Sequence, residues 1–126
     1  MTDKRRALGE KGENLAVARL KKLGYRILVR NYRIRLGEID IIAEDKDTLV
    51  FVEVKARTGT SFGSPVEAIT ARKKRQLAKV AMQYISQYGL DNRSARFDVV
   101  SVVFQDSRGA GQGTGSVEII RNAFEV

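Results

Sequence analysis

The stretch Glu38 to Ala56, EIDIIAEDKDTLVFVEVKA, carries the pattern that decides the fold. Two β-branched, largely apolar runs, Glu38–Glu44 and Thr48–Ala56, flank the polar turn Asp45-Lys46-Asp47, which predicts a β-hairpin. Alternation sets Leu49, Phe51, Glu53 and Lys55 on one face of the second strand, and Val50, Val52, Val54 and Ala56 on the other. With the turn centred between Lys46 and Asp47, paired residue numbers sum to 93, so Asp40 falls opposite Glu53 and Glu38 opposite Lys55. An odd-length turn would shift every pair by one and turn Asp40 to the wrong face.

Outward from the hairpin, Gly9 to Leu23 reads as a helix, with Ala16, Val17, Leu20 and Leu23 at helical spacing and Gly24 as its stop. Glu13 lies at the edge of that apolar stripe, so its carboxylate is expected to look inward. Tyr25 to Ile34 is a strand with Arg26, Arg30 and Arg33 interleaved. After the hairpin come a Gly/Ser/Thr loop (Thr58–Ser64), a turn at Pro65, and a helix capped by Thr70 and closed by Gly89, in which Leu77, Val80, Ala81, Tyr84, Ile85 and Tyr88 recur. Ala95–Phe104 is a buried strand, 105–115 a flexible glycine-rich loop, and Val117–Ile120 a last short strand. Strands three and four are separated by a helix, so that crossover is expected to be parallel and right-handed. The order α-β-β-β-α-β describes one α/β domain over 1–126, a three-layer sandwich around a central mixed sheet.

Composition narrows the chemistry. The 126 residues contain no His, Cys or Trp. A Ser-His-Asp triad, a thiol or imidazole zinc site and a disulfide framework are therefore excluded. The N-terminal MTDKRR is followed by no apolar h-region, and the apolar runs are too short to span a bilayer, so a cytoplasmic protein with no membrane association is expected. The net charge of +8 is local: residues 1–35 hold 11 Lys/Arg against three acids, and the rest of the chain is neutral. Such a basic third on a neutral body is the footprint of a polyanion, and nucleic acid is the expected partner.

The carboxylates supply the reaction class. Two like charges opposed in a sheet repel, and a divalent cation gives the pairing a reason. Mg²⁺ or Mn²⁺ takes one or two protein carboxylates and completes its shell with water and phosphate oxygens, which assigns Asp40 and Glu53 as ligands with the Val54 carbonyl as a third. Lys55 would orient or deprotonate the attacking water, or neutralise charge on the phosphate; the sequence leaves these roles open. Glu13, aimed inward from the first helix, would join through a water or hold a second metal. The set suits phosphodiester hydrolysis. Against it stands the plainer reading of Glu53-x-Lys55 as a solvated strand face with a cross-strand ion pair. Arg26, Arg30, Arg33, Lys73 and Lys74 are candidate contacts to a nucleic-acid backbone, Tyr25 and Tyr32 are assigned to packing, and Asp98 to structural hydrogen bonding.

Gly12-Glu13, Gly37-Glu38-Ile39-Asp40, Val52-Glu53-Val54-Lys55 and Phe62-Gly63-Ser64-Pro65, in this order and spacing, resemble the bacterial YraN-like family of predicted endonucleases. That family is similar to the PD-(D/E)XK nuclease superfamily, including archaeal Holliday junction resolvases, although Ile39 stands where the superfamily's proline would be. The resemblance implies a restriction-endonuclease-like fold, metal ligands at Asp40 and Glu53, a catalytic lysine at Lys55 and an accessory acid at Glu13. It further implies Mg²⁺-dependent cleavage of DNA, branched or otherwise structured, by a homodimer. The alternatives are a non-catalytic nucleic-acid-binding module of the same fold, and an assembly factor bound to an acidic protein.

Overall fold

In the computed structural model the described residues are 2–59, 64–104 and 115–125, with the backbone alone for 2–6. Phe62-Gly63, most of the Thr58–Ser64 loop and the loop at 105–114 lie outside them. The hairpin forms as its spacing requires. Strand β2 (Gly37–Asp45) pairs antiparallel with β3 (Thr48–Thr58) around a two-residue turn in which Lys46 takes φ 57, and the sum of 93 holds from Asp45↔Thr48 to Ile41↔Val52. There the ladder stops, so Asp40 and Glu53 are neighbours beyond its open end and not a ladder pair.

Strand β1 (Arg26–Ile34) pairs antiparallel with β2 on the other side. Helix α2 (Ala71–Gln87) carries the chain back so that β4 (Ala95–Phe104) lies parallel to β3, and β5 (Gly115–Phe124) closes the sheet antiparallel in the order β1-β2-β3-β4-β5. Helix α1 (Thr2–Lys22) covers one face and α2 the other, the expected mixed-sheet α/β sandwich. The α1 face packs Ala16, Val17 and Leu20 on Ile41, Val50, Val52 and Val100. The α2 face packs Leu77, Val80 and Tyr84 on Ile42, Leu49, Phe51 and Val99. Because β2, β3 and β4 are covered on both faces, they read as continuous apolar runs.

Several boundaries differ from the sequence reading. Helix α1 starts at Thr2, seven residues before the expected start at Gly9, because a helix docked through its apolar stripe propagates readily beyond it. Leu23 falls outside the helix and is half-exposed, since Gly24 (φ 95) turns the chain toward β1. Tyr88, counted in the α2 stripe, sits at its C-cap and is 55% exposed. Strand β5 runs past Val117–Ile120 in both directions because β4 offers its main-chain groups along the whole length. The Thr70 cap forms as expected, its hydroxyl accepting from the Lys73 amide at 3.0 Å.

A charged cluster toward the hairpin end of the sheet is structural. Asp98, fully buried, accepts from Arg96 Nε at 2.9 Å, from the Tyr25 hydroxyl at 3.0 Å and from the Asn122 amide at 2.9 Å, while Arg96 reaches Asp45 at 2.9 Å. Buried acids persist only when paired in this way. Burial, then the Asp98 charge and hydrogen bond, push the Tyr25 hydroxyl above its ordinary pKa. Tyr25 and Tyr32 both pack as assigned: Tyr25 is buried on the α1 face, and Tyr32 meets Tyr84 edge to face with ring centres 5.2 Å apart.

Candidate functional site

One break in strand alternation builds the site. In β2, Ile39 and Ile42 face α2, whereas Ile41 faces α1; two consecutive residues, Asp40 and Ile41, therefore share the α1 side. The partner strand breaks in step, with Val29 and Tyr32 facing α2 and Arg30-Asn31 lying between them. Asn31 accommodates the break with φ 56, a left-handed conformation that Asn tolerates better than most residues. Strict alternation put Asp40 on the Glu53 face. The double break instead brings it to a cleft of about 1090 Å³ on the α1 side, at the open end of the β2–β3 ladder.

Glu13, Arg30, Glu38, Asp40 and Lys55 line that cleft, with Asn14, Asn31 and Arg57 around them. Asp40 Oδ2 accepts from the Val54 amide at 2.8 Å, taking the place of the main-chain acceptor the ladder no longer supplies. Glu53 does not itself line the cleft. It is 7% exposed, packed beside Asp40, with Lys73 at the start of α2 and Lys55 near enough to act on its charge.

Burial is the first cause of the unusual acidity here. It raises Asp40 above the ordinary carboxylate range, against the lowering effect of the Val54 amide. It raises Glu53 to about 7; the Asp40 charge adds to this, and Lys73 and Lys55 offset part of it. Two crowded carboxyls hold a proton between them in this way, and a perturbed pair at a cleft is a functional signature. The same pair fits a divalent cation, because two carboxylates that repel when ionised are what a hard oxygen-seeking ion neutralises. Among the described residues no three acids stand as a preformed metal cage. A Mg²⁺-type ion, which keeps waters and takes substrate oxygens, requires no such cage.

Glu13 reaches this place through a helix–strand contact made close by Gly12. A Cβ on Gly12 would lie 2.6 Å from the Ala56 Cβ, so α1 sits against β3 at this point only because residue 12 has no side chain. Gly12→Ala must push the helix away, and it is expected to lower stability by about 2 kcal/mol, read as a lower urea midpoint at unchanged m-value.

The matching family model is the "Uncharacterised protein family UPF0102", which covers residues 12–102. The chain belongs to UPF0102. This is the YraN-like family that its motifs resemble. A UPF0102 protein of Desulfosudis oleivorans is 49% identical over 125 residues, covering 99% of this chain and 95% of its own. UPF0102 proteins of Moorella thermoacetica and Geobacter metallireducens are each 46% identical, covering 98% and 96% of this chain and 100% and 94% of theirs. The region the UPF0102 model covers holds Glu13, Asp40, Glu53 and Lys55 together.

The structure brings Glu13, Asp40, Glu53, Val54 and Lys55 into one neighbourhood. The candidate backbone contacts scatter. Arg30 lies in the cleft but is bonded to Glu13 and Asn14, and Arg33 stands at the rim, 3.3 Å from Glu38. Arg26 is at the far end of β1, well exposed and 3.9 Å from Glu44. Lys73 faces Glu53, and the Lys74 ammonium lies 5.4 Å from the centre of the Phe124 ring. Sequence reasoning passed over Asn14, Asn31 and Arg57. For Asn31 a signal existed, a turn-former inside an otherwise β-forming strand. Among the described residues no helix is long and apolar enough to cross a membrane.

Proposed function

We propose that this chain is a Mg²⁺- or Mn²⁺-dependent nuclease that hydrolyses phosphodiester bonds in DNA, with branched or otherwise structured DNA as the substrate class. The observation that carries it is the mutually repelling pair of a half-buried Asp40 and a buried Glu53 at the open end of a β-hairpin, with Lys55 lining the adjoining cleft. A purely structural pair of this kind costs stability and returns nothing.

Asp40, Glu53 and the Val54 carbonyl would hold the cation. When bound, it supplies a Lewis acid toward phosphorus and a more acidic water. Lys55 lines the cleft, where its ammonium would bind a phosphate oxygen and offset the charge that grows on it. The Val54 amide holds Asp40 in one orientation, so that carboxylate enters the reaction already aligned. Arg33 and Arg57 add positive charge along the cleft wall, and the basic N-terminal third draws the polyanion toward it. Nucleic acid as partner and the cytoplasm as place of action follow from this reading, as does a homodimer when the substrate has two duplex arms.

The test is a panel of linear, nicked and four-way-junction DNA with Mg²⁺ or Mn²⁺. Cleavage of at least one member is expected, falling by on the order of 10³-fold in Lys55→Ala and Asp40→Asn. Activity that survives in Asp40→Asn would sink the mechanism. Salt-steep DNA binding with no cleavage would assign a non-catalytic binding module instead. Light scattering that shows monomer alone at high concentration would remove the dimer.

A further inference from the structure

Arg30 belongs to the basic stripe that sequence reasoning gave to the nucleic-acid backbone, but its guanidinium is turned to an acid. Arg30 Nε and Nη2 donate to Glu13 Oε1 at 3.2 and 2.9 Å, and Nη2 also donates to Asn14 Oδ1 at 2.7 Å. Asn31 Nδ2 donates to the same Glu13 Oε1 at 2.9 Å. One carboxylate oxygen thus takes three hydrogen bonds. The Glu13 side chain is 13% exposed and lines the cleft beside Asp40, close enough for its charge to raise the Asp40 carboxyl.

The backbone is arranged for the same end. Pairing between β1 and β2 passes from Arg30↔Ile41 to Tyr32↔Ile39, leaving Asn31 and Asp40 as the unpaired step between them. Asn31 holds φ 56 there, strain that a strand carries only where something over-determines it. That one irregularity turns the Asn31 amide toward Glu13 on one side of the cleft and the Asp40 carboxyl toward Val54 on the other.

We infer that Arg30 and Asn31 are positioning residues, a two-point clamp on Oε1 that fixes the Glu13 carboxylate in the cleft beside Asp40, where its charge acts on the cation that Asp40 and Glu53 would hold. This rests on the metal-site reading proposed above and deepens it. The clamp acts on the cation only through Glu13, so its loss and the loss of the Glu13 carboxylate are one loss. Partners that orient a ligating carboxylate typically change metal affinity by about 10- to 100-fold.

The experiment is a double-mutant cycle in Mn²⁺ affinity, measured by calorimetry on the full chain without DNA. Asn31→Gly keeps the backbone conformation, since Gly takes φ near +56 freely, and removes only the amide; Arg30→Gln removes the charged fork. Each is expected to weaken Mn²⁺ binding about tenfold or more. In a Glu13→Gln background neither is expected to weaken it further, because coupled residues are non-additive. Thermal melts identify variants that remain folded, and Asn31→Gly serves if Arg30→Gln does not fold.

Unchanged Mn²⁺ affinity in folded Asn31→Gly, or losses that add to that of Glu13→Gln, would overturn the clamp. So would a loss confined to DNA affinity and its salt slope, the signature of a backbone contact. A wild type that binds Mn²⁺ yet cleaves no DNA removes the nuclease reading alone, and the cycle still decides the clamp. A wild type that binds no Mn²⁺ overturns both.

Discussion

Glu53→Gln is expected to abolish cleavage and, in the metal-free protein at pH 8, to raise stability. Burial and the Asp40 charge raise the folded-state Glu53 from its ordinary 4.5 to about 7. The folded chain therefore binds a proton that the unfolded chain has released across this interval. Below pH 4.5 both states are protonated and the site costs nothing. As pH rises toward 7 the cost grows, and above 7 it is complete, at about 3 kcal/mol. Asp40, raised for the same first reason, adds in the same direction. Gln keeps the size of the side chain and carries no charge, so urea midpoints in EDTA should show a gain of about 2–3 kcal/mol at pH 8 and almost none at pH 4. Equal gains at both pH values would show that the pair is not the source. Mn²⁺ should stabilise the wild type at pH 8 and leave the variant unmoved, because only the folded wild type offers the full ligand set. Loss of cleavage should be on the order of 10³-fold or more, the scale of several kcal/mol of transition-state charge stabilisation.

Asp98→Ala should be the most damaging single change away from the site, at about 3–5 kcal/mol, the cost of removing one partner from a buried ion pair. Asp98 is fully buried and takes the Arg96 guanidinium, the Tyr25 hydroxyl and the Asn122 amide. Without it, Arg96 keeps Asp45 and the Tyr25 hydroxyl oxygen, while the Tyr25 hydroxyl and the Asn122 amide lose their acceptor. Asp98→Asn preserves shape and one acceptor and should cost clearly less. The check is a denaturant series on the two variants; equal losses would place the effect in packing instead of charge. The pH signature of this cluster is opposite to that of Glu53. Arg96 holds Asp45 below the ordinary carboxylate range, so its contribution is present at neutral pH and fades as acid approaches the lowered value.

Much of the fold is legible along the chain because its causes are short-range. The Lys46-Asp47 turn and the alternation of Val, Ile and Phe around it set a register that the ladder obeys for five pairs. Thr70 caps its helix through a neighbour three residues away. The parallel β3–β4 crossover follows from an intervening helix that must return over the sheet. Legibility fails where alternation fails. Asn31 and Asp40 break step together, and this moves Asp40 from the face that strict alternation assigned to it onto the side where α1 delivers Glu13.

The sequence by itself determined the chemical inventory, the strand order and the acids and lysine that meet. Residue types, turn length and period-two patterning are local properties, and they need no knowledge of distant neighbours. The tertiary structure alone decided how those groups are charged and held. Glu13 meets Arg30 across 17 positions, and Tyr25 meets Asp98 across 73. The raised Glu53 carboxyl exists only because folding removes it from water beside Asp40. An arginine counted along the chain is a free cation, and whether it grips a phosphate or an acid depends on which partner the packed sheet sets against it.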